Sequence, residues 1–148
     1  MLAWIDRAIT IVLLIVHAGL LVWAVAGFAE MAVSAVPWSS LSNPLFSPTV
    51  LFLQWTAIAL GAAAFLFGYA LRWRYLPQAM IACYAFMASV CAYETVALLT
   101  HSARYTDMAL EYVTYIAIVV YLFVSPGIGR RIGRQPLSMP VRSPVPRP

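Results

Sequence analysis

The sequence predicts an all-α integral membrane protein with four transmembrane helices in an up-down-up-down antiparallel bundle. Three observations carry that prediction. Nearly two thirds of the 148 residues are apolar while 9% are charged, a balance outside the range of a soluble globular domain. The apolar residues fall in four runs of about 20 residues or more, each long enough to cross a hydrocarbon core about 30 Å thick. The basic charge, net +4, comes entirely from arginines gathered at the ends of those runs. Such a distribution reports topology; it does not point to a nucleic-acid partner.

The first span is predicted at about residues 5–34. Trp4, Asp6 and Arg7 mark an interface before the apolar run from Ala8 to Phe28. The run is longer than the apolar core of a signal peptide, so an uncleaved span is expected despite the Ala-Val-Ser-Ala at 32–35. Asp6, Thr10 and His17 share one stripe. Gly19, Trp23, Ala26, Gly27 and Glu30 share another, and that glycine stripe is expected to be the packing face. His17 is expected to be a hydrogen-bonded structural histidine, because no second histidine lies at its depth.

Residues 37–48 hold three prolines, several hydroxyls and no charge, and read as the main loop. Trp38, Leu45 and Phe46 are expected to settle at the lipid interface. The second span, about 49–73, places Gln54, Ala57, Gly61, Ala64 and Gly68 three or four residues apart, a small-residue stripe for close helix contact. Arg72, Trp73, Arg74 and Pro77 make a short basic turn, so the second and third spans form a tight hairpin.

The third span, about 77–101, contains Glu94. Counted from Gln78, this carboxylate lies about 24 Å along the helix, inside the outer third of the membrane. An acid there must be protonated, paired or turned toward a polar interior. Cys83, Met87, Cys91 and His101 share its face; the two cysteines lie about 12 Å apart along one helix, too far to bridge. A short turn containing Arg104 leads to the fourth span, about 106–125, with Thr106 or Asp107 as its N-cap and Glu111 entering its outer third. Residues 126–148 contain prolines, glycines and arginines but no acid, and are predicted to form a disordered basic tail on the cytoplasmic side.

Arg7, Arg72, Arg74, Arg130, Arg131 and Arg134 fall on one side of this topology and Arg104 on the other. Both termini are therefore expected to be cytoplasmic, in a membrane such as the bacterial cytoplasmic membrane. With that orientation Glu30, Gln54, Glu94 and Glu111 come to a common outer level, one from each helix, with His101 and Asp107 above them. Gln54 is expected to hydrogen-bond to Glu94. The pattern suits proton or cation exchange between apposed carboxylates, or hydrogen bonding that holds helices together. The Glu-x-x-His pairs of di-metal bundles are missing, so no metal centre is expected, and no residue pattern identifies a cofactor. No nucleophile elbow, zinc-protease motif or phosphate loop occurs, which argues against an enzyme.

Small loops, small-residue stripes and a basic tail favour an accessory or scaffold subunit of a larger inner-membrane complex, with lipid and partner subunits, or further copies of itself, around it. The alternatives are a proton-coupled transporter using Glu94, and a quinone- or metal-binding redox partner near Glu94 and His101.

Overall fold

The computed structural model describes residues 2–33 and 40–133. Five α-helices follow one another: α1 (Leu2–Ala32), α2 (Pro48–Ala70), α3 (Leu76–Tyr93), α4 (Arg104–Val124) and α5 (Pro126–Arg131). At Glu94 the third helix passes into a π-helical turn, Glu94–Leu98. The first four are long and apolar enough to cross a membrane, which establishes the predicted four-span bundle. Trp38 and the predicted disorder of 134–148 lie outside the described residues.

Local chemistry sets most of the helix ends. Ser47 caps α2 by accepting a hydrogen bond from the Val50 N–H, with Pro48 in the first turn where its missing donor costs nothing. Ser125 and Pro126 do the same for α5, with the Ile128 N–H 3.1 Å from the Ser125 hydroxyl. The fourth span starts at Arg104, two to three residues earlier than expected, and has no side-chain cap. The α2–α3 turn closes as a Schellman motif: the Trp73 N–H donates to Gly68 O at 2.8 Å and the Arg72 N–H to Tyr69 O at 3.3 Å. Arg72 occupies the left-handed position of that motif, with φ 55°, where glycine is usual.

Packing runs in chain order, α1 on α2, α2 on α3 and α3 on α4. In a membrane this association rests on close van der Waals fit, since lipid tails are as apolar as the side chains they replace. The small residues of α2 supply that fit. A Cβ on Gly68 would stand 2.8 Å from Leu76 Cδ1, and one on Gly61 3.1 Å from Met87 Sδ. Ala57 is buried and Ala64 packs against the core.

On α1 the expected packing stripe holds only in part. Gly27 does pack, its Cα pressed on the Trp55 ring, but Gly19 is exposed with nothing near it. The buried stripe is the polar one, Thr10, Leu13 and His17, continued by Ala24 and Gly27. The reason is that lipid accepts a bare glycine readily but not a hydroxyl or an imidazole, so the polar side chains turn inward.

The tail also begins differently from its composition. Residues 126–131 form α5, and Ile128 and Ile132 are buried in the main core with Leu13, Phe65, Leu76, Met80 and Leu122. Two large apolar side chains anchor a segment whose overall makeup suggested disorder.

Candidate functional site

Polar groups gather at three levels. Where α1 begins and α5 lies, the Asp6 carboxylate accepts hydrogen bonds from the Ser125 and Tyr121 hydroxyls and, at 2.9 Å, from the Gly127 N–H. Thr10 joins them, 2.8 Å from the Tyr121 hydroxyl. Helix α1 thus holds the start of α5. Arg131 completes the attachment, donating to Tyr69 O at 3.2 Å and lying over the Tyr69 ring.

Midway, His17 is enclosed. Its imidazole stacks on Phe65 at 4.0 Å between centroids and reaches the Tyr84 hydroxyl at 2.9 Å. Tyr84 in turn stacks nearly parallel on Tyr115, with centroids 4.7 Å apart. His17 is buried and hydrogen-bonded, as the sequence suggested.

Above this level a cavity of about 330 Å³ opens between the helices, and all four spans line it. Trp23 comes from α1, Gln54 and Ala57 from α2, Cys91 and Glu94 from the third helix, Glu111 and Tyr115 from α4. Glu111 is held on both oxygens: the Tyr115 hydroxyl donates to one, and the Cys91 thiol, with Sγ at 3.1 Å, to the other. Glu94 is different. Its Oε1 is buried and has no hydrogen-bond partner, and the expected bond from Gln54 is not formed among the described residues although both side chains face the same space.

The backbone contributes to this placement. Leu99 N–H donates to Glu94 O across five residues, so one extra residue is accommodated in the turn that begins at Glu94. Such π turns loosen the regular ladder and recur at functional sites. The Tyr112 hydroxyl, donating to Ala88 O at 2.8 Å, ties α4 to α3 beside the cavity.

Of the four polar residues expected at one outer level, the structure brings Gln54, Glu94 and Glu111 to one cavity. Glu30 serves the loop: it accepts from the Ser40 hydroxyl at 2.6 Å, the Ser42 hydroxyl at 2.8 Å and the N–H groups of Leu41 and Ser42. Four nearby donors in a hydroxyl-rich loop outcompete a more distant carboxylate. His101 and Asp107 pair with each other at 3.1 Å in the exposed α3–α4 turn, outside the cavity lining. Helical spacing placed Cys91 on the face of Glu94, but that Cys91 and Tyr115 both donate to Glu111 is a contact it did not give. The signal was present, since Tyr115 lies one turn after Glu111.

No known protein family, curated protein or solved structure matches the chain. The site's own chemistry is therefore the basis for a functional reading. Two carboxylates face one half-open space, and no arginine or histidine is among its lining residues. Arg104, the nearest basic residue in sequence, instead donates to Leu99 O and lies over Tyr105. Such a space favours a proton or a cation between the acids. Among the described residues no group of three or more histidine, cysteine, aspartate or glutamate side chains is placed to hold a metal ion.

Proposed function

We propose that this chain is a proton-coupled transporter or cation-exchanging bundle, in which Glu94 gives up a proton when a small cation enters the cavity. The observation that supports this most directly is the buried, unpartnered Glu94 Oε1 on a cavity to which all four spans contribute. An acid kept only for packing would have its oxygens paired, as those of Glu30 and Glu111 are. Glu111, fixed by Tyr115 and Cys91, is the second acid of the pair, and Gln54 offers an amide to the same ligand. The arginine distribution favours cytoplasmic termini, in a bacterial cytoplasmic membrane, with the cavity toward the opposite surface.

The test is proton release. Purified full-length protein in weakly buffered detergent is mixed with methylammonium chloride and the released protons are read with a pH dye. Wild type should release about one proton per chain and Glu94→Gln none. No release from wild type, or equal release from both, rejects the proposal.

A second reading, an accessory subunit of a larger inner-membrane complex, is favoured by α4. It is the least buried span, and Leu110, Val113, Ile116 and Val120 project from it unpacked. Native mass spectrometry after gentle extraction distinguishes the readings. Stoichiometric co-purification of other subunits supports the accessory role, and a lone monomer or homo-oligomer counts against it.

A further inference from the structure

A second hollow of about 340 Å³ lies between α3 and α4, and its walls come from those two helices alone. Ile81, Ile116 and Val120 on its rim are 46%, 63% and 52% exposed, so in a bilayer it opens sideways to lipid. Ala85 and Ala88 leave its space free, and three tyrosines, Tyr84, Tyr112 and Tyr115, line it.

Those tyrosines make an apolar surface. The Tyr84 hydroxyl is taken by His17, the Tyr112 hydroxyl by Ala88 O and the Tyr115 hydroxyl by Glu111. What faces the groove is therefore ring surface, and the stacked Tyr84 and Tyr115 rings make it flat. Tyr115 lines both the groove and the carboxylate cavity, so the two spaces meet at that ring. Beyond it stand Glu94 and Glu111 with no basic residue in the lining.

We infer that the ligand of this protein is an amphiphilic amine, which enters from the bilayer between α3 and α4. Its flat apolar body lies in the tyrosine groove and its ammonium reaches past Tyr115 to the carboxylates. This rests on the cation reading of the cavity and adds the ligand's class and route. Charge decides against an anionic lipid as occupant, because its phosphate would meet two acids with no cation beside them. Aromatic faces next to the acids suit an ammonium twice over, through the carboxylates and through the ring quadrupoles. The Tyr115 bond to Glu111 is the contact an arriving ammonium competes for, so binding loosens the ring that separates the spaces. No covalent step is involved; the cation takes the place of a proton.

The probes are pyrenemethylamine and its neutral counterpart pyrenemethanol, which share one flat ring body. Binding is read by fluorescence with the full chain in phosphatidylcholine nanodiscs, against empty discs. The amine should bind wild type about tenfold or more tightly than the alcohol. Ala85→Phe, which fills the groove away from the acids, should weaken the amine about tenfold, and Ile116→Phe does the same from the other wall. Either variant suffices if its gel-filtration profile and helical circular dichroism match wild type. Methylammonium, too small to need the groove, should displace the amine and should bind both variants as it binds wild type.

Equal binding of amine and alcohol overturns the inference and makes the groove a slot for apolar chains. Amine binding unaffected by both groove-filling variants also overturns it, while methylammonium displacement would leave the cavity reading standing. If neither amine distinguishes wild type from Glu94→Gln, the cavity reading itself fails.

Discussion

His17 Nε2 lies 2.9 Å from the Tyr84 hydroxyl while its Nδ1 lies 2.7 Å from Leu13 O. A carbonyl only accepts, so Nδ1 carries the hydrogen and Nε2 accepts from Tyr84. Tyr84→Phe should therefore cost about 1–3 kcal/mol, because it leaves a buried acceptor without a donor. Unfolding in mixed micelles measures it, and His17→Leu should cost less in the Tyr84→Phe background than alone. Equal costs in both backgrounds would show that the pair is not coupled.

Arg72 holds a left-handed conformation, φ 55°, that any L side chain resists. Arg72→Gly should stabilise the α2–α3 hairpin by about 1 kcal/mol. A loss of stability would mean that the guanidinium's contact with the interface outweighs the backbone strain.

The glycines of α1 should behave in opposite ways. A Cβ at Gly27 would lie 2.2 Å from Trp55 Cε2, inside a fully buried ring, whereas one at Gly19 meets nothing within 4 Å. Gly27→Ala should destabilise by about 1–3 kcal/mol or force α1 away from α2. Gly19→Ala should be neutral or stabilise by up to about 1 kcal/mol. Thermal unfolding of the two variants side by side checks both.

Glu30→Ala should release the loop and spare the cavity. Hydrogen exchange at Leu41 and Ser42, whose N–H groups Glu30 accepts, should rise about tenfold or more, with methylammonium-induced proton release unchanged. Loss of proton release would return Glu30 to the exchanging site.

How much of this was legible beforehand depends on the kind of signal. Span number and order follow from apolar run lengths and the positions of Pro48, Arg72 and Pro77, all of them local. That Glu94 and Glu111 meet follows from depth along their helices, which one-dimensional counting gives well. Rotation about the helix axis is harder to read. Counting placed Glu30 near the outer end of its helix, but its partners are the hydroxyls of Ser40 and Ser42 and nearby N–H groups, ten or more residues on. The packed face of α1 was misjudged because Gly19 resembles a packing glycine, while the inward pull on Thr10 and His17 depends on partners in α3 and α4. For α5 the cue was Ser125-Pro126, a cap followed by a first-turn proline, hidden in a composition that otherwise suggests disorder.

Asp6 and Gly127 touch across 121 residues of chain, and that contact sets a schedule. During synthesis α1 emerges long before the segment it must hold, so the carboxylate at its start is without these donors until then. The contact forms only when α5 arrives. A chain interrupted before Ser125 lacks the hydroxyl and the N–H that Asp6 accepts from, and with them the attachment of α1 to α5.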